Sequence, residues 1–299
     1  MIRNIDGATE QFLADLARSQ AVTDRAQREI TSGLRVEKPS DAPQQIGDIL
    51  ELRGALGWNT QVLANLNQGK AEADTAEEAL AQAGQLLDQA STLGSQGAGG
   101  QVSADQRVTL ANQVEGILTQ LVGISRTTCG GSFVFSGDQA DAPVYELNLG
   151  SSNGVNALTT PSSTQQILDA DGMALPASKT AQEIFDSPTA SVFAAVNGLR
   201  VALEANSDSG IQAALGSLRS AADHLSAQLS YYGTLQNRTD TAIDRAHRID
   251  VQRQADLSGQ CDADIVAATL ELNQGQLHQQ AALSARARQP SGSLFDYIK

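Results

Sequence analysis

The side chains best suited to chemistry near neutral pH are few in this sequence. His224, His247 and His278 fall on separate stretches. None belongs to an H-E-x-x-H word or to a pair four residues apart, so they read as surface or seam histidines. Cys129 and Cys261 lack a C-x-x-C frame and imply no disulfide framework. C-D-A-D at 261–264 could form one arm of a metal site, but no second arm is visible. Asp262 and Asp264 suit the start of a helix instead, where acids favour the helix dipole. G-S-Q-G-A-G-G at 94–100 has glycines for a phosphate loop, yet no strand precedes it and no G-K-[ST] follows. Glu77 and Glu78 are adjacent on a helix and point in different directions, so they form no acid–base pair. The triplet at Asn237–Thr239 matches a glycosylation acceptor but lies mid-helix. Trp58 reads as a packing residue. The expectation is no catalytic residue, no cofactor, no metal and no enzyme.

The elements that would position any site are long helices. Aromatics make up 4% of 299 residues, which favours helices packed along thin seams over a large globular core. Spacings of three and four from Ile2 through Ile5, Thr9, Phe12, Leu16, Ser19, Thr23, Ala26 and Ile30 trace a heptad seam. Gly33 suits a left-handed stop, and Pro39 and Pro43 each remove a backbone donor. Asp41, with Gln44 three residues on, is placed to cap a second helix running to about Gln96. That helix carries Leu52, Asn59, Leu66, Ala73, Leu80 and Leu87 at sevenfold spacing. Its companion column shifts from Ile49, Leu56 and Leu63 to Ala76, Ala83 and Ala90, which suggests a change of partner partway along.

Ser103 and Gln106 form a capping box for a helix over about 104–128. The region from about 132 to 180 reads as strands, with Asp171-Gly172 suited to a tight hairpin turn. Helix returns at about 188–205. After the pause at N-S-D-S-G comes the most regular seam, from Ile211 through Leu225 and Tyr232 to Ala246. A helix of about fifty residues is roughly 75 Å long, so this segment predicts coiled coil. A last helix precedes Pro290 and Gly292. The fold class is therefore mainly α with a small β-containing insert, and near-neutral ends beside an acidic middle suit ends that pack together in a long antiparallel bundle. The expected divisions are a terminal helical layer of 1–40 and 255–299, a bundle of 41–131 and 186–254, and a β-rich part of 132–185.

Charge excludes some partners. The net charge is −14, concentrated in residues 41–236, where seven bases face twenty acids. That argues against nucleic acid, which needs a basic face. No run of about 18 apolar residues exists, so no membrane span is expected. The first twenty residues carry acids and lack an apolar h-region, so no secretory signal peptide is expected.

Two stretches narrow the choice among helical proteins. S-Q-A-V-T-D-R-A-Q-R-E-I-T-S-G-L-R-V-E-K-P-S-D-A-P at 19–43 resembles the N-terminal signature of the flagellin superfamily, a helix ending in S-G-x-R before a K/R-P-S-D-D-P-type loop. D-A-D-I at 262–265, Q-Q-A-A-L at 279–283 and S-L-F-D-Y-I at 293–298 are similar to the superfamily's C-terminal words. G-G-S-F-V-F-S-G at 130–137 and the Asp171-Gly172 segment running to Ile184-Phe185 resemble the superfamily's hook–filament junction branch. In this chain Ala42 stands where a second Asp is common.

The resemblance implies a structural adaptor at the hook–filament junction of the bacterial flagellum, templating filament growth. A short flagellin forming the filament itself is the alternative. Implied partners are copies of itself in a ring or tube, the other hook-associated junction protein, flagellin and a cytoplasmic export chaperone. The implied location is extracellular, reached through the flagellar export apparatus without a cleaved signal peptide. Expected assembly contacts are Ile2, Ile5, Phe12, Leu16, Leu283, Leu294, Phe295, Tyr297 and Ile298. Gly33, Arg35, Lys38, Pro39 and Asp41 would form the loop joining an inner helical layer to an outer one. Arg35 and Lys38 are either contacts to acidic neighbouring subunits or solvated loop charges. A small-ligand or metal-binding helical protein, or an enzyme in the β-containing middle, is the competing class.

Overall fold

The computed structural model describes residues 7–176 and 178–288. Seven helices are assigned among them: α1 (Gly7–Ser32), α2 (Ile46–Gly97), α3 (Ala104–Ser125), α4 (Ala181–Phe185), α5 (Val192–Glu204), α6 (Asp208–Cys261) and α7 (Ile265–Ala287). Four two-stranded antiparallel ladders punctuate them: β1–β2 (Thr128–Cys129 with Ser132–Phe133), β3–β4 (Tyr145–Leu147 with Val155–Ala157), β5–β6 (Gln166–Leu168 with Ala174–Pro176) and β7–β8 (Asp186–Ser187 with Ala190–Ser191). The chain is mainly helical with a small strand-bearing insert, as its periodicity predicts. It divides into two compact units. One holds the described residues through Gly57 together with those from Asp250 onward; the other is Trp58–Ile249.

In the larger unit α2 and α6 run antiparallel. Asn59 Nδ2 donates to Ala246 O at 2.9 Å, and Lys70 Nζ meets Asp240 Oδ1 at 2.5 Å. Gln236 Nε2 donates to Glu77 Oε2 at 2.6 Å. Most of the predicted column positions in this unit are buried: Asn59, Leu66, Ala73, Leu80 and Leu87, with Ala76, Ala83 and Ala90, whereas Leu63 is only half-buried and Val62 beside it is buried instead. Ile211, Leu218, Leu225, Tyr232 and Ala246 are buried on α6. Ser103 and Gln106 form the expected capping box at α3, which stops at Ser125 rather than about 128 because Thr128 pairs into β1.

The strands do not build a separate core. Phe135, Tyr145, Phe185 and Phe193 share one cluster with α2, α3, α5 and α6. Phe185 meets Phe135 edge-on at 5.5 Å and stacks on Phe193 at 5.7 Å, and Phe193 meets Tyr145 at 5.1 Å. This cluster explains the word F-V-F-S-G physically. Phe135 fills the core, and Ser136 is fully buried with Oγ donating to Ala142 O at 2.8 Å. Gly137 holds φ +54, where a Cβ would collide with Ser163 O.

One local expectation is met and two are corrected. The Asp171-Gly172 hairpin forms, through a three-residue loop. Asp169 N donates to Met173 O, Gly172 N donates to Asp169 O, and Gly172 takes φ +81. That is a type I turn followed by a left-handed glycine. Asp169 Oδ1 favours it by accepting from the amides of Asp171 and Met173. Helix does not return at about 188, because 186–191 turn back as β7–β8 and Ser191 caps α5. Finally, α2 starts at Ile46 and Asp41 does not cap it; its carboxylate turns backward, as described below.

Arg107 ties one end of the larger unit together. Its guanidinium, 5% exposed, donates to Gly97 O at 2.9 Å, to Asn206 Oδ1 at 2.7 Å and to Asp208 Oδ1. Asn206 sits at φ +50, the only positive φ outside glycine among the described residues. One buried cation therefore satisfies the C-terminal end of α2 and positions the α5–α6 turn.

Candidate functional site

The smaller unit contains the two ends of the chain and the loop that joins them to the rest. In α1 the half-buried or buried residues are Thr9, Phe12, Leu16, Ser19, Thr23, Ala26 and Ile30, the predicted seam, plus Glu29. Their partner is α7, laid antiparallel. Arg286 Nη2 donates to Thr9 Oγ1 at 2.7 Å and its guanidinium lies 5.7 Å from the Phe12 ring. Gln279 Nε2 donates to Thr23 Oγ1 at 3.1 Å. A Cβ at Gly275 would press on that hydroxyl, so glycine permits the close approach there. The facing stripe of α7 is Ala268, Leu272, Gly275, Gln279 and Ala282. This seam is thin: small and polar residues outnumber Phe12, Leu16, Ile30 and Leu272 across its two sides.

Away from α1, α7 exposes several large apolar residues among polar ones. Val266 is 81% exposed and Leu277 65%, with Leu270 and Leu283 also outward. A pair of helices held by alanines and glycine leaves its larger leucines unspent.

The loop after α1 is stitched to the break between α6 and α7. Gly33 ends α1 at φ +72, its amide donating to Glu29 O at 2.9 Å. Leu34 then bridges Asp262 antiparallel. Arg35 N donates to Cys261 O at 2.7 Å, and Ala263 N donates to Gly33 O at 2.9 Å. The Arg35 guanidinium reaches Gln260 O at 2.6 Å. Beneath this ladder Val36, Ile49 and Cys261 form a small buried cluster, backed by Leu34, Ala42 and Leu257. Cys261 is a free thiol used as an apolar core residue, and Cys129 is free and half-buried. Asp264 caps α7, accepting from Val266 N and Ala267 N at 3.0 Å each.

Asp41 closes the loop upon itself. Its Oδ2 accepts from Lys38 N at 2.8 Å and Glu37 N at 3.1 Å. These bonds, the one from Lys38 first, hold its carboxyl below the usual carboxylate range. A depressed folded pKa means the bonds are fully present above the unfolded value and are lost as pH falls through the folded one. The Glu37 and Lys38 amide resonances are therefore expected to shift together on acidification, with a midpoint below that of an ordinary aspartate. Asp41→Asn should abolish that transition.

Of the residues singled out from the sequence, Phe12 and Leu16 lie half-buried on the stripe of α1 that faces α7, and Leu283 lies outward on α7. Gly33, Arg35, Lys38, Pro39 and Asp41 sit together in the loop, with Lys38 and Pro39 exposed. Ile2, Ile5, Leu294, Phe295, Tyr297 and Ile298 lie outside the described residues. Val36, Ile49 and Cys261 were not singled out as a cluster, although they anchor the joint. The stripe of α7 was also missed, and its four–three–four–three spacing was the available signal. Among the described residues no three His, Cys, Asp or Glu side chains are grouped to hold a metal, and no helix is long and apolar enough to cross a membrane.

Comparisons with known proteins agree with this geometry. Residues 4–140 match the bacterial flagellin N-terminal helical region. Flagellar hook-associated protein 3 of Salmonella typhimurium is 27% identical over 181 residues, 60% of this chain and 55% of that protein. A putative flagellar hook-associated protein from Vibrio parahaemolyticus superposes with a TM-score of 0.65 at 18% identity, covering 74% of this chain and 100% of that one. The Xanthomonas campestris FlgL crystal structure (space group C2) gives 0.61 at 15% identity, covering 69% and 99%. The N-terminal part of the chain thus matches the bacterial flagellin N-terminal helical region, and the chain is similar to flagellar hook-associated protein 3 over 60% of its length.

Proposed function

We propose that this chain is a structural adaptor of the bacterial flagellum, assembling at the hook–filament junction and templating filament growth. It carries no chemistry of its own. The observation that supports this most directly is α7, which packs Ala268, Gly275 and Ala282 against α1 and leaves Val266, Leu270, Leu277 and Leu283 outward. Such a stripe buries apolar area only when a neighbour arrives, at about 25 cal/mol per Å². In this reading residues 1–40 and 255–299 form the assembling layer, with 41–131 and 186–254 as the bundle and 132–185 as the strand-bearing part. Neighbours would be copies of this chain, the second junction protein and flagellin. An export chaperone would cover the same stripe before passage through the flagellar export apparatus to the cell exterior. Arg35 is occupied with Gln260 O, which favours a role in shaping the joint over a contact with acidic neighbours.

Deleting the gene tests this reading. Electron microscopy should show bare hooks, and unpolymerised flagellin should accumulate in the culture fluid. Hooks with no secreted filament subunit would instead make the chain the flagellin, and normal flagella would overturn the flagellar reading altogether.

A further inference from the structure

In the larger unit a cleft of about 310 Å³ lies between α2 and β5. That is the small end of the range for small-molecule sites, about 300–1,000 Å³. Its helical wall is a stripe at spacings of three and four: Trp58, Gln61, Asn65, Gln68 and Glu72. Gln165 and Gln166 add two more carboxamides from the strand side, and no Lys, Arg or His lines it. The floor is fixed, because Ile167 inserts against Gly69, where a Cβ would collide with its side chain. Leu175, Val62 and Leu66 are buried beneath the hairpin.

The polar wall is pre-arranged rather than loose. Gln61 Nε2 donates to Asn65 Oδ1 at 2.9 Å, and Gln68 Nε2 donates to Glu72 Oε1 at 3.1 Å. These bonds fix four rotamers and leave the Asn65 amide hydrogens, the Gln61 and Gln68 oxygens and the second Glu72 oxygen for a ligand. Trp58, the chain's one tryptophan, is 52% exposed at this cleft. A large indole face left in water beside paired amide donors and acceptors is the arrangement that receives a sugar ring. The ring's C–H face stacks on the indole while its vicinal hydroxyls take the amides. The absence of a cationic lining selects against phosphate or acidic sugars.

We propose that this cleft binds a neutral pyranose saccharide, with Trp58 as the stacking platform and Gln61, Asn65 and Gln68 as hydroxyl partners. An extended peptide is the other neutral polar ligand with a claim on it. The Asp169–Met173 pairing makes Ile167–Leu175 the next bonded pair, so the main-chain groups of Gln166 and Leu168 turn to the outer edge of β5. Three residues of edge offer a peptide few ladder bonds, whereas the helical stripe from Trp58 to Glu72 spans about four turns. The saccharide therefore uses more of what the cleft presents.

Trp58 is its own reporter. The full-length protein is titrated with maltotriose, cellotriose and triacetylchitotriose while tryptophan fluorescence is followed. At least one trisaccharide should give a saturable change at millimolar concentration or below. The double variant Gln61→Ala/Asn65→Ala, which alters only exposed side chains, should weaken it about tenfold or more with circular dichroism unchanged. No saturable change with any of the three overturns the proposal. So does a change that the double variant leaves intact, or one produced only by an uncharged Thr-Val hexapeptide. Hook capping by the same variant should remain normal, so this result and the deletion phenotype stand or fall separately.

Discussion

Replacing Phe185 with Ala is expected to destabilise the Trp58–Ile249 unit by about 3–5 kcal/mol. Phe185 is fully buried between Phe135 and Phe193, and the centre of an aromatic cluster cannot collapse without moving α5 and the strands together. For a unit of this size that corresponds to a melting temperature lower by about 6–20 °C. Phe133, only half-buried two residues before Phe135, supplies the contrast: Phe133→Ala should cost much less. Differential scanning calorimetry of the two variants decides it. Equal shifts would mean that the strand-bearing insert is not anchored through the aromatic cluster.

The second large effect is expected at the thin seam. Ala26 is fully inaccessible on α1, and the buried Ala268 belongs to the facing stripe of α7. Ala26→Asp places a carboxylate there with no cation built to meet it, a penalty of about 3–5 kcal/mol for an uncompensated buried charge. Phe12, Leu16, Ile30 and Leu272 are only half-buried, so the seam has little apolar burial to set against that. The expected result is a loss of far-ultraviolet helical signal from α1 and α7, of 26 and 23 residues, while the Trp58–Ile249 unit keeps its melting transition. In cells the variant should be exported yet leave hooks bare. Unchanged helicity together with normal filaments would remove the terminal pair from the proposed assembly mechanism.

How much of this was readable beforehand depended on whether the information was periodic. The columns of α2, α6 and α1 repeat every seven residues, so burial could be assigned from spacing, and Leu80, Leu225 and Ala26 are buried where spacing places them. Gly33 was legible for a different reason, since a left-handed stop favours glycine. The pairing of Leu34 with Asp262 was not. A single bridge between segments so distant in sequence leaves no local pattern, and its stabilising cluster of Val36, Ile49 and Cys261 is too small to show one. Asp41 was misread because its carboxylate had a nearer set of amides to bond than the pattern assumed, those of Glu37 and Lys38. The assignment of α1 to α7 as partners came from family resemblance, because both seams are too poor in large residues to specify each other.

The ladder between Gly33–Val36 and Gln260–Ala263 also sets an order of events during folding. Its two halves lie more than two hundred residues apart, so it is among the most non-local contacts in the chain. A chain emerging N-terminus first from a ribosome or an export channel holds its first half unpaired until Cys261 has followed. The larger unit, Trp58–Ile249, can condense before that moment. The joint therefore closes after the larger unit but ahead of the α1–α7 seam, whose Thr9–Arg286 bond must wait for the end of α7.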